Sequence, residues 1–118
     1  MCNKMNCVDY LVKMFFKIDI KVFKESYGTE YPTTLDLVSF VAKHGWFIGA
    51  GSARLSKTIK ITFSRDLCPL LMVVRDAGSE VDHAVIYNKG RVIDLAGRDA
   101  EYYEDKIIGI YPINKLTN

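Results

Sequence analysis

Three residues of this chain could together carry nucleophilic chemistry: Cys7, His83 and Asp94. A thiol attacks a carbonyl carbon only as the thiolate, and a helix N-terminus beside an imidazolium is a setting that holds a thiol in that form. A carboxylate bonded to the imidazole selects its tautomer and supports its charged state. The chemistry expected of the three is hydrolysis of an amide or related acyl bond. Cys7 would form the acyl-enzyme, His83 would shuttle the proton, and Asp94 would hold His83.

Each residue also has a plainer reading. Free cysteines are among the most buried residue types, and Cys7 alone would more often be a small hydrophobe of the core. His83 alone would more often be a satisfied histidine at a strand end, and Asp94 could cap the turn at Ala96-Gly97. What lifts the pair is their spacing. Val81 to Tyr87 and Arg91 to Leu95 are rich in β-branched and aromatic residues, and Asn88-Lys89-Gly90 between them tolerates positive φ, so the segment reads as a hairpin. With Lys89-Gly90 as the loop, Val85 stands opposite Asp94. His83, Val85, Tyr87, Val92 and Asp94 then share one face, and His83 and Asp94 are diagonal neighbours.

The thiol needs a helix start. Cys7, Leu11, Met14, Phe15 and Ile18 fall at helical spacing, with Val8 and Val12 widening the stripe. Asp9, Lys13 and Lys17 take the other side. Asn6 is a suitable N-cap, and Asp9 complements the positive end of the helix dipole. Residues 19–31 read as a short helix or irregular segment, and Pro32-Thr33-Thr34 opens a further helix whose apolar face is Leu37, Val38, Val41 and Ala42. His44 suits the end of that helix, Gly45 its left-handed cap, and Trp46 the core of a strand over Trp46 to Ile48. Gly49 to Ser52 is a loop and lacks the Lys-Ser or Lys-Thr pair of a phosphate cradle.

After that loop the pattern turns to β. Thr58 to Phe63 alternates, Leu70 to Val74 is a continuously apolar buried strand, and Asp76 to Ser79 turns into the hairpin. Ala100 to Asp105 reads as one helical turn and Ile107 to Ile113 as a closing edge strand, with Pro112 near its end. Helices first and antiparallel strands afterwards make an α+β fold, expected as one domain over residues 1–118.

At 118 residues, with 49% hydrophobic and 25% charged residues, the composition is that of an ordinary globule. A net charge of +2 with interspersed signs argues against a nucleic-acid or membrane surface. The first residues lack the apolar stretch of a signal peptide, so the expected setting is a reducing cytosol, or a particle. Three cysteines, Cys2, Cys7 and Cys68, have no metal-type spacing, and neither a disulfide framework, a metal nor a cofactor is expected. Cys2 reads as a fraying terminal residue and Cys68, before Pro69 and a buried strand, as packing.

Asn6-Cys7-Val8-Asp9-Tyr10-Leu11-Val12 opening a helix, the apolar strand Pro69 to Val74, Asp82-His83-Ala84-Val85-Ile86-Tyr87, and a glycine turn into Val92-Ile93-Asp94 together resemble the papain-like cysteine peptidases of the NlpC/P60 superfamily. Small phage-encoded members share this size and layout. Ile93-Asp94-Leu95-Ala96-Gly97 also resembles the aspartate segment of the double-glycine peptidases that process bacteriocins. The resemblance implies helices packed on an antiparallel sheet, with Cys7 as nucleophile, His83 as base and Asp94 as orienting residue. It implies as substrate a peptidoglycan peptide, a leader peptide, or a host or virion protein, and a setting in the host cytoplasm or the virion. The chain differs from the family at the oxyanion hole. Val8-Asp9 follows the cysteine in place of Ser-Gly, and Met1 stands where the double-glycine peptidases carry glutamine. Asn3 and Asn6 are the nearby amides that could serve, beside the Cys7 backbone N–H. The alternative reading is a catalytically silent domain on the same scaffold, acting as a phage accessory, structural or inhibitory protein through contact with another protein.

Overall fold

Helix α1 (Cys7–Met14) begins where Asn6, still extended, turns its side chain back. Asn6 Oδ1 accepts the Asp9 N–H at 2.8 Å, satisfying one of the donors that a helix start leaves without an internal acceptor. Asp19 caps α2 (Ile20–Ser26) in the same manner through the Lys21 N–H. At α3 (Thr34–Ala42) the cap is reciprocal: Thr33 Oγ1 accepts the Asp36 N–H, and Asp36 Oδ2 accepts the Thr33 N–H. Gly45, at φ 87°, provides the left-handed exit expected of it.

The computed structural model describes residues 6–27, 32–49, 52–53, 68–75 and 82–115. The strands in it are β1 (Trp46–Ile48), β2 (Ser52–Ala53), β3 (Leu70–Arg75), β4 (Asp82–Asn88), β5 (Arg91–Ile93) and β6 (Ile107–Lys115), with a one-turn helix α4 (Ala100–Tyr103) before the last. Every pairing is antiparallel, in the order β1-β6-β3-β4-β5, and β2 also pairs with β6. Helices that precede an antiparallel sheet make this an α+β protein. The expected strand over Thr58 to Phe63 and turn over Asp76 to Ser79, together with Cys2 and Asn3, lie outside the described residues.

Sheet alternation divides the core in two. Leu71, Ala84 and Ile86 face the helices and pack with Val8, Leu11, Val12, Phe23, Leu37, Phe40 and Val41. Their strand neighbours Met72, Val74, Val85 and Tyr87 turn to the other face and pack with Tyr103 and Ile107. Full burial of such side chains stabilises by about 1.5–3 kcal/mol each, so both faces of the central strands are tied down.

Three sequence expectations are corrected. The last strand, β6, is central, lying between β1 and β3. Pro112 is tolerated there because its carbonyl, and therefore its nitrogen, points toward the β1 side, where β1 has ended at Ile48. That carbonyl accepts the Gly49 N–H at 2.9 Å. Asp9, expected on the solvent side of α1, is 1% exposed because α2 covers that flank as well. Cys68 is exposed and does not pack beneath β3.

Candidate active site

The hairpin has the predicted register. Ile86 pairs with Ile93, Tyr87 with Val92 and Asn88 with Arg91, which leaves Lys89 and Gly90 as a two-residue loop. Both loop residues have positive φ, 50° and 87°, the conformation of a type I′ turn, whose twist matches that of the flanking strands. One step beyond the last pair, Asp94 stands opposite Val85. His83 pairs with Val74 of β3, a residue of the second core, so His83 belongs to the Val85 and Tyr87 face.

Asp94 is 7% exposed and its carboxylate is well supplied with donors. Oδ1 accepts the Ala96 N–H at 3.1 Å, and Oδ2 accepts the Arg98 N–H at 2.9 Å and the Tyr103 hydroxyl at 2.7 Å. The turn-capping reading of Asp94 is therefore realised, with Gly97 at φ 75° completing the turn by donating its N–H to the Asp94 carbonyl at 2.9 Å. These three bonds fold the segment 94–103 around the Asp94 carboxylate. Among the described residues His83 makes no hydrogen bond to this carboxylate; the two residues share a sheet face and the cavity described next.

A cavity of about 540 Å³ opens where β5 stops. Asn6 and Cys7 line it from the start of α1, Asp82 and His83 from the start of β4, and Asp94, Leu95, Ala96 and Arg98 from the chain that leaves β5. Pro32 and Tyr103 complete the wall. The three chemistry-bearing residues, far apart in sequence, thus share one hollow of a size ordinary for small-ligand sites. Half-buried Cys7 packs against the helix-side core, whereas His83 belongs to the opposite face of the sheet, so the cavity reaches around the sheet's open end.

Cys7 is the first residue of α1, one of the positions whose backbone N–H has no acceptor within the helix. Beside it Asn6 uses Oδ1 as the cap, so the donor group of that side chain is Nδ2. Asp82, on the cavity rim, accepts a 2.7 Å hydrogen bond from Arg75 Nε, and this bond, with the attraction of the carboxylate, holds the Arg75 guanidinium above its already high pKa.

The sequence did not single out Leu95, Arg98 or Tyr103 as cavity residues. The only local signal for Tyr103 is the Asp99 cap, which starts the turn that brings its ring back over Asp94. Asp9, on the flank of α1 covered by α2, is buried as well. Its Oδ2 lies 3.2 Å from Lys24 Nζ on α2, an ion pair without hydrogen-bond alignment, and among the described residues neither carboxylate oxygen has an aligned donor.

No family model, characterised protein or solved structure matches this chain. Fold and cavity define an α+β protein with a cysteine, a histidine and an aspartate around one hollow. Among the described residues no helix is long and apolar enough to cross a membrane.

Proposed function

We propose that the chain is a cysteine-dependent hydrolase of papain-like organisation, acting on an amide bond of a peptide or protein. The observation that carries this reading is the common cavity of Cys7, His83 and Asp94. The Cys7 thiolate attacks the carbonyl carbon, the C–N bond breaks, and His83 gives the leaving amine its proton. Water, deprotonated by His83, then attacks the thioester and releases the carboxylic acid and the thiol. The developing oxyanion is met by the Cys7 N–H and the side-chain amide of Asn6, while Asn3 lies outside the described residues. Asp94 supports His83 from the same face of the sheet. The resemblance to NlpC/P60 peptidases adds the substrate classes: a peptidoglycan peptide, a leader peptide, or a host or virion protein, met in the host cytoplasm or in a phage particle.

A second reading rests on Asp94. Its three hydrogen bonds all go to its own segment, as they would in a silent scaffold that acts through protein contact. Alkylation by iodoacetamide at neutral pH separates the two, with exposed Cys68 as an internal comparison. The hydrolase reading expects Cys7 to react at least about tenfold faster than Cys68, and expects His83→Ala to abolish the excess. Equal rates, unchanged by His83→Ala, would leave only the scaffold.

A further inference from the structure

The end of the sheet away from Cys7 carries a second hollow, of about 460 Å³. Strand β4 joins the two, with Asp82 and His83 at the first and Asn88 at the second. At roughly 3.3 Å per residue the two ends of β4 are about 20 Å apart, while Ile93 of the second hollow directly precedes Asp94 of the first.

The floor is aromatic and held in place. The rings of Phe15 and Trp46 lie 5.4 Å apart, and Phe16 supports both edge-on, at 4.9 Å from Phe15 and 5.3 Å from Trp46. Phe15 and Trp46 line the hollow, and Met14, 39% exposed, extends its apolar surface outward. The rim is cationic. Lys17 and Lys89 line it, from the chain just past α1 and from the hairpin loop, whereas Lys115 of β6, whose Nζ stands 5.5 Å from the Trp46 ring centroid, is not among the lining residues. Among the described residues lining the hollow there is neither an aspartate nor a glutamate.

The two lining lysines share an unusual backbone. They are the described non-glycine residues with positive φ, 58° at Lys17 and 50° at Lys89. A helix exit or a type I′ turn is ordinarily made by glycine or asparagine, which adopt this conformation at little cost. Turn geometry alone would not select lysine at either place. A requirement for ammonium groups at this rim would.

We infer that this hollow binds an acidic segment of a partner protein. One aromatic or large aliphatic side chain rests on the Phe15–Trp46 floor, and flanking carboxylates meet Lys17 and Lys89. Cations from two separate elements beside one apolar floor match a segment with charge on both sides of its anchor better than a single small acid. The inference does not depend on the hydrolase reading.

Trp46 is the sole tryptophan, so its fluorescence reports on this hollow alone. The probe is a capped pentapeptide with a central phenylalanine between glutamates, titrated at low salt. Saturable change in Trp46 emission is expected, with affinity reduced about tenfold or more when the glutamates become glutamines or the phenylalanine becomes alanine. Lys17→Gly combined with Lys89→Gly should weaken binding to a similar degree while the thermal midpoint holds or rises, because glycine relieves the backbone at both positions. Absence of any change with the acidic peptide, equal binding of the glutamine version, or undiminished binding by the double variant would overturn the inference. Phenylacetate binding as tightly as the peptide would overturn it too, by assigning the hollow to a small organic acid.

Discussion

Tyr103 donates its hydroxyl proton to Asp94 Oδ2 across 2.7 Å, joining the one-turn helix α4 to the residue that follows β5. Both groups are buried, and both line the cavity that contains Cys7 and His83. The bond makes Asp94 a structural anchor for the cavity wall whatever else it does. An effect of mutating Asp94 on activity therefore has two sources, and they can be separated.

Asp94→Asn places an amide N–H₂ group among the N–H groups of Ala96 and Arg98 and the Tyr103 hydroxyl, where at least one donor loses its acceptor. The expected loss of stability is about 1–3 kcal/mol, read from urea denaturation. Tyr103→Phe removes one donor and leaves the carboxylate, at about 1 kcal/mol. If Asp94 also orients His83, Asp94→Asn slows iodoacetamide labelling of Cys7 and Tyr103→Phe does not. Equal labelling rates in the two variants would confine Asp94 to the wall.

The cap of α1 offers a second test, since Asn6 both starts the helix and flanks the thiol. Asn6→Ala is expected to cost about 1 kcal/mol, the usual consequence of removing a capping oxygen. Asn6→Asp keeps the cap, and thermal denaturation should show stability retained. Its carboxylate would nonetheless oppose a thiolate at the next residue, so Cys7 alkylation should slow. Faster alkylation in Asn6→Asp would contradict a thiolate mechanism at this helix start.

The third prediction concerns the pair behind the helix. Asp9 is fully covered, whereas the Lys24 side chain is 49% exposed. Lys24→Met leaves the buried carboxylate without its cation. Breaking a fully buried pair costs about 3–5 kcal/mol, and the exposure of Lys24 reduces the expectation to about 1–3 kcal/mol. Asp9→Leu with Lys24→Met replaces both charges by apolar groups and should recover most of that loss. A double variant less stable than Lys24→Met alone would show that Asp9 has another stabilising partner.

How much of this was legible beforehand follows the range of the forces involved. The hairpin register, the cap at Asn6, the helix start at Pro32-Thr33-Thr34 and the left-handed Gly45 were all readable, because each is settled within a few residues by φ preference or by a side chain reaching its own backbone. The α+β order was readable because helical and alternating apolar spacings differ. Burial of Asp9 was not, because periodicity identifies one apolar stripe but not a second helix, α2, that covers its flank.

By itself, then, the sequence determined where α1 and α3 start, which strand residues share a face, and that His83 and Asp94 belong to the same one. Tertiary structure decided that β6 is central, that the N-terminus of α1 meets the open end of β4 so that Cys7 and His83 line one cavity, and that Tyr103 is the residue that ties Asp94 down. The reason is physical. Alternation and capping are local properties of the backbone, whereas strand order and helix docking depend on which apolar surfaces remain uncovered once every other element has found its place.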